Sequence, residues 1–191
     1  MSSTQTFAIV GASLAGAKAA ETLREAGFDG RVLLLGAERE RPYERPPLSK
    51  DYVRGDSPRE KVYVHPAGFY NEHGSELRTS TPVQAIDTAA RELALGSGER
   101  VHFDRLLLTT GAEPRRLRMP GSDLDEVFYL RDLSDADAIA ERIARGGGLR
   151  GKRGHRTSAH RRWEHDRLRL RGRGDRGRPA DGAGRGGRDR G

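Results

Sequence analysis

Short apolar runs that end on glycine mark the first third of the chain. Phe7–Val10 is continuously apolar and stops at Gly11, the pattern of a buried strand closed by a turn. Leu14–Ala26 then places Ala15, Ala19, Ala20 and Leu23 at helical spacing, with Gly27 as a stop. Arg31–Leu35 (Arg-Val-Leu-Leu-Leu) reads as a second buried strand. Strand, glycine turn, helix and strand within about 30 residues make a βαβ unit with an expected right-handed crossover. Pro42, Pro46 and Pro47 break the regularity over Arg41–Lys50, which therefore reads as a loop. Val83–Asp87, Glu92–Leu95 and Val101–Phe103 are predicted as short strands, with Gly96 and Gly98 marking a hairpin. Arg105–Thr110 is predicted as another buried strand ending at Gly111, and Val127–Leu130 as a short one. Ser134 is expected to cap a helix through Ala144, with Asp135 and Asp137 in its first turn.

Composition divides the chain in two. The formal charge is +7 over 191 residues, which on its own suggests a nucleic-acid or membrane-surface partner. Yet Gly146–Gly191 holds 15 Lys and Arg against 5 acidic residues, and 13 of the 25 glycines. The preceding 145 residues hold 20 basic and 23 acidic ones, a mildly acidic balance. The charge thus says little about partners of the patterned part. Gly146–Gly191 has few apolar residues, Leu149, Trp163, Leu168 and Leu170 among them, and the expectation is a disordered basic tail. Cysteine is absent, which excludes disulfides, thiolate metal sites and a redox-active Cys pair within these residues. No stretch approaches the roughly 18 apolar residues of a membrane span. Met1–Thr6 lacks the pattern of a signal peptide, so a cytoplasmic location is expected.

The strongest local motif is Val10-Gly11-Ala12-Ser13-Leu14-Ala15-Gly16, between a predicted strand and a predicted helix. In that context a G-x-G-x-x-G pattern binds dinucleotides. Gly11 allows the tight turn, the small Ser13 lets backbone approach a pyrophosphate, and Gly16 allows close helix–sheet packing. The pyrophosphate would sit at the helix N-terminus, where free N–H groups and the helix dipole favour anions. Ser13 replaces the middle glycine, and a ligand-free structural turn is the alternative reading. A nucleophile elbow at Ser13 is disfavoured, because position 15 is Ala and the glycine comes one place late. Glu38, at the end of the second strand, suits a carboxylate accepting from a ribose of an ADP moiety, or else is a solvated loop acid. His65, His73 and His102 show neither triad nor metal spacing and read as surface or loop residues.

Pro42-Tyr43-Glu44-Arg45-Pro46-Pro47-Leu48-Ser49-Lys50 adds an Arg and a Lys on a stiffened backbone. Further on stand Val83 before Ile86-Asp87, Leu107-Leu108-Thr109-Thr110-Gly111-Ala112-Glu113-Pro114, and Tyr129-Leu130-Arg131 before Asp135-Ala136-Asp137. In this order, over Phe7–Ala144, the motifs resemble those of the FAD-dependent NAD(P)H:ferredoxin reductases of the putidaredoxin and rubredoxin reductase type. These belong to the pyridine nucleotide-disulfide oxidoreductase superfamily.

The resemblance implies an α/β fold: a Rossmann-like FAD-binding βαβ domain with a small antiparallel strand insertion. It also implies hydride transfer from NAD(P)H to FAD and release of single electrons to an iron–sulfur ferredoxin. The lack of cysteine suits that branch, since disulfide reductases of related fold need a Cys pair. Gly11, Ser13, Leu14, Ala15 and Gly16 would hold the FAD pyrophosphate. Glu38 would bind the adenosine ribose, although some relatives carry the acid one place earlier, where Ala37 stands. Arg45 would lie along the cofactor, Val83 would meet the adenine through its main chain, and Thr110 and Gly111 would return to the cofactor at a strand end. Lys50 would come near the flavin ring, where a cation favours the reduced, negatively charged form, and Arg131 would approach from the next segment.

The domain organisation expected is 1–114 as the FAD-binding part, 115–145 as connection and first helix of an NAD(P)H-binding domain, and 146–191 as the tail. A second glycine motif for NAD(P)H, expected after Ala144, is missing, so the chain is expected to be an incomplete FAD-binding half of low or no activity. The tail reads either as an Arg/Gly-rich nucleic-acid-binding segment with Trp163 as a stacking platform, or as a truncation or shifted reading frame in GC-rich DNA. The second is favoured, because Arg-Gly repeats read one base along become Ala, Val, Gly or Glu codons; nucleic-acid and membrane partners are not expected.

Overall fold

The computed structural model describes residues 5–125 and 127–145. The chain divides into two units, Met1–Glu141 and Arg142–Gly191, the second described only through Arg145. The expectations about the tail therefore lie outside the described residues.

The first βαβ unit forms as the pattern predicts: β1 (Thr6–Val10), α1 (Leu14–Glu25) and β2 (Arg31–Leu35). Gly27, at φ +80°, ends α1, with the Phe28 N–H returning to the Leu23 carbonyl at 3.0 Å. A short helix α2 (Phe69–Glu72) leads to β3 (Ser75–Arg78), a strand that the pattern does not announce because Ser-Glu-Leu-Arg has one apolar residue. The antiparallel strands β4 (Val83–Asp87), β5 (Glu92–Leu95) and β6 (Arg100–His102) follow. Then come β7 (Arg105–Leu108) and α3 (Leu133–Ala144).

Four strands make a parallel sheet in the order β3-β2-β1-β7, and three make a second, antiparallel sheet β4-β5-β6. Side chains on β1 and β2 alternate between two cores. Ala8, Val10, Leu33 and Leu35 pack against Leu93, Leu95, Val101 and Phe103 of the antiparallel layer. Ile9, Val32 and Leu34 face Ala17 and Ala20 of α1 together with Tyr70. Burial on both faces explains why β2 is an unbroken apolar run, each leucine contributing about 1.5–3 kcal/mol.

Three expectations need correction. The strand predicted over Arg105–Thr110 stops at Leu108 and is not buried, with Leu107 and Leu108 44% and 55% exposed. It lies at the sheet edge, with β1 as its neighbour. Val127–Leu130 is not a strand; the Val127 N–H closes a turn on the Leu124 carbonyl at 3.0 Å. Asp132, not Ser134, caps α3: its Oδ1 accepts the Asp135 N–H at 2.9 Å, while Asp135 Oδ2 accepts the Arg131 and Asp132 N–H groups at 2.7 and 3.1 Å. This reciprocal exchange satisfies donors at the helix start that would otherwise be unpaired. No helix of the described residues is long and apolar enough to cross a membrane.

Candidate functional site

The loops after β1, β2 and β7 emerge at one end of the parallel sheet, where the strand order reverses around β1. That reversal is where α/β sheets open a crevice. The β1–α1 turn depends on close backbone approach. Gly11 sits at φ +113°, a region that L side chains rarely adopt, and a Cβ there would run into the Thr109 carbonyl. A Cβ on Gly16 would run into the Gly11 carbonyl and meet Thr109 Oγ1 at 2.9 Å. Thr109 closes the turn from the β7 side. Its N–H donates to the Val10 carbonyl at 2.8 Å and its hydroxyl to the Gly11 carbonyl at 2.7 Å.

Ser13 takes the position before α1 in extended backbone, and no side chain caps the helix. Its hydroxyl donates instead to the Thr109 carbonyl at 3.4 Å, and among the described residues no histidine bonds to it. Leu14 and Ala15 are exposed and Gly16 is buried. A 12-residue helix thus begins at the switch point with an uncapped first turn, which carries a partial positive charge.

The exit of β2 is tied to this turn and to β3. A Cβ on Gly36 would press on the Ala12 Cβ at 2.7 Å. Backbone bonds run from Gly36 to Arg78, Thr81 to Gly36 and Ser80 to Glu38, at 2.7–2.8 Å. Glu38 follows with both carboxylate oxygens engaged: Oε1 accepts from Arg45 Nη2 at 2.8 Å, and Oε2 accepts from the Tyr43 hydroxyl. Arg45 Nη1 donates to the Arg131 carbonyl, and the Leu133 N–H donates to the Tyr43 hydroxyl at 3.2 Å. Glu38, Tyr43, Arg45 and the Arg131–Leu133 segment close a hydrogen-bonded circuit. Burial, and then the neighbouring Glu38 carboxylate, push the Tyr43 phenol far above its ordinary pKa. It therefore remains a donor. The Arg131 guanidinium lies against Gly111, where a Cβ would stand 2.6 Å from Nη2.

The proline loop is seated by its own small core of Tyr43, Leu48 and Val62 against Leu133 and Ala136 of α3. Backbone bonds Glu44 to Val62 (2.7 Å) and Val64 to Pro42 (3.0 Å) pair it with the following segment. Arg59 crosses the joint, donating to Asp137 Oδ2 at 2.7 Å, Glu40 Oε1 at 2.9 Å and the Tyr63 hydroxyl at 3.1 Å. The Tyr52 hydroxyl donates to the same Asp137, and the Arg41 guanidinium stacks 3.4 Å from the Tyr63 ring centroid.

The structure thus joins Gly11, Ser13 and Gly16 into one turn, Glu38 and Arg45 into one circuit, and Arg131 to Gly111. Lys50 follows a 3₁₀ turn at Pro46–Ser49; it is exposed, and among the described residues its ammonium forms no ion pair. Ala37 and Thr110 are exposed, and Val83 packs at the margin of the inter-sheet core. No bond among the described residues links Lys50, Ala37, Thr110 or Val83 to the circuit. His65 departs from the surface reading: its side chain is 11% exposed and stacks on Phe69 at 3.7 Å. No group of three or more potential ligands that could hold a metal occurs among the described residues.

Thr109, Tyr43 and Gly36 are the residues that motif reading passes over. Thr109 adjoins Thr110 just past the end of β7, and no local signal separates the two. Tyr43 lies inside the proline motif, whose cations Arg45 and Lys50 carry its sequence reading.

Residues 5–152 match the family described as pyridine nucleotide-disulphide oxidoreductase, and the chain belongs to that family. Rhodocoxin reductase of Rhodococcus erythropolis is 39% identical over 136 residues, covering 71% of this chain and 32% of that protein. The ferredoxin–NAD(+) reductase component of the biphenyl dioxygenase system of Paraburkholderia xenovorans (strain LB400) is 38% identical, over 75% of this chain and 35% of its own. A ferredoxin reductase from Rhodopseudomonas palustris superposes with a TM-score of 0.70 at 35% identity, over 74% of this chain and 35% of its own. The covalent putidaredoxin reductase–putidaredoxin complex gives 0.67 at 33% identity, over 73% of this chain and 34% of its counterpart. The chain therefore spans about a third of the length of these relatives.

Proposed function

We propose that this chain carries the FAD-binding part of an NAD(P)H:ferredoxin reductase, working in the cytoplasm with an iron–sulfur ferredoxin as electron acceptor. The carrying observation is the uncapped start of α1 at the β1–β7 switch point, with the Glu38 circuit beside it. These residues fit FAD. Gly11 and Gly16 leave no side chain between backbone and a pyrophosphate, and the first-turn N–H groups supply donors. Glu38, with two accepting positions used by Tyr43 and Arg45, retains others for ribose hydroxyls.

When bound, FAD supplies hydride acceptance and one-electron release. The chain's residues bind and orient. Gly11, Ser13, Leu14, Ala15 and Gly16 would hold the pyrophosphate, Glu38 in preference to Ala37 would take the ribose, and Val83 would meet the adenine through its main chain. Arg45 and Arg131, joined through the Arg131 carbonyl, would help hold the cofactor, together with Thr110 and Gly111. Lys50, which forms no ion pair among the described residues, would supply positive charge to the flavin. The names of the relatives, ferredoxin and rubredoxin reductases, support this partner class. The nucleic-acid alternative gains nothing from the comparisons, and its basis lies outside the described residues.

FAD titration of the purified chain, followed by flavin fluorescence, tests the reading. Saturable binding weakened about tenfold by E38Q is expected, from the lost charged acceptor. Absence of binding, or indifference to E38Q, overturns it. K50A should leave FAD affinity unchanged and lower the midpoint potential of the bound flavin by on the order of 30 mV. An unchanged potential removes Lys50 from its electrostatic role.

A further inference from the structure

Resting on the reading of Glu38 as a ribose acceptor, we propose that Tyr43 is a positioning residue for nucleotide binding. It orients the Glu38 carboxylate toward an adenosine ribose and couples that grip to the start of α3. A carboxylate pinned at one oxygen can still turn about its side chain; pinned at both, its plane is set. Arg45 holds Oε1 and the Tyr43 hydroxyl holds Oε2, leaving further lone pairs on each oxygen for ribose hydroxyls. The Glu38 side chain remains 38% exposed, so a ligand can reach it.

Tyr43 is suited to hold rather than to react. It is 4% exposed, wedged among Leu48, Val62, Leu133 and Ala136. Its hydroxyl is aligned from behind by the Leu133 N–H, the first residue of α3. The raised phenol pKa, from burial and then Glu38, keeps the proton on Tyr43 at every ordinary pH. The neutral hydroxyl is a directional donor that complements the charged one from Arg45. An ordered carboxylate loses less rotamer freedom when the ribose arrives, so the circuit stores affinity in advance.

The test is calorimetric titration of the full chain and its Y43F, E38Q and E38Q/Y43F variants with ADP and with 2′-deoxy-ADP. Y43F keeps the ring in its core and removes only the hydroxyl. Its ADP affinity should fall about three- to tenfold, while 2′-deoxy-ADP stays within about twofold of the original chain. In the E38Q background, Y43F should cost no further ADP affinity, because Tyr43 acts through Glu38. Equal weakening of both nucleotides by Y43F, or no weakening, overturns the positioning role. A chain that binds the two nucleotides alike, with E38Q affecting neither, overturns the assignment of Glu38 itself. A second measurement needs no variant: hydrogen exchange of the Leu133 amide should slow more with ADP than with 2′-deoxy-ADP. Identical exchange with both, each at saturation, counts against the coupling.

Discussion

The β1–α1 turn and the proline loop both bear on the candidate cofactor site, but they are built from different materials. The turn is backbone against backbone: Gly11 and Gly16 sit where any Cβ would collide with a carbonyl. The loop is side chain against side chain, with Tyr43, Arg45 and Arg59 bridging Glu38, Glu40 and Asp137. A backbone turn admits no partial version. A network of side chains, most of them partly exposed, yields piece by piece, because most of its bonds compete with water.

The largest effect should come from G11A. A Cβ at φ +113°, facing the Thr109 carbonyl, should cost about 3 kcal/mol or more. Urea unfolding reads this directly, and a cost below that of any loop variant would break the contrast. R59A removes four side-chain partners, Tyr52, Tyr63, Glu40 and Asp137, at the loop–α3 joint. With Arg59 37% exposed, about 1–2 kcal/mol is expected, measured the same way. T109V keeps the shape at the turn but deletes the hydroxyl donated to Gly11, for about 1 kcal/mol. A loss nearer that of G11A would show the turn to depend on its one side chain as much as on its glycines.

The smallest effect concerns acid. Burial alone would raise the Asp132 carboxyl, but hydrogen bonds from Ser134 and from backbone N–H groups outweigh it and hold the pKa below the usual aspartate value. A depressed folded-state pKa contributes stability that is complete above about pH 4 and fades as pH falls through the lower folded value. Melting temperature should therefore drop more steeply below pH 4 in the original chain than in D132N. At neutral pH the two should differ by no more than about 0.5 kcal/mol, since Asn also caps helices. Equal slopes in acid would show that the cap charge contributes nothing to the seat of the loop.

Legibility followed the same division. The βαβ unit was readable because its signals are local: apolar runs for strands buried on both faces, alanines at helical spacing, glycines where φ turns positive. The hairpin strands were readable for the same reason. β3 was not, since Ser-Glu-Leu-Arg becomes a strand only by pairing with β2. Thr109 and Thr110 are alike in sequence, and Thr109 closes the glycine turn only because β7 lies beside β1. Arg45 and Lys50 stand out in the sequence as cations, whereas the buried Tyr43 joins the loop to both Glu38 and α3.

By itself, then, the sequence determined the class of fold, the place of the glycine turn and the family, because each rests on residue types at short spacing. Tertiary structure alone decided which carboxylate oxygen meets which donor, which threonine closes the turn, and that Arg45 and Arg131 share a bond. Those partners lie 86 residues apart in the case of Arg45 and Arg131. Such a distance in chain carries no local signal, and only the packing of α3 on the proline loop brings the two together.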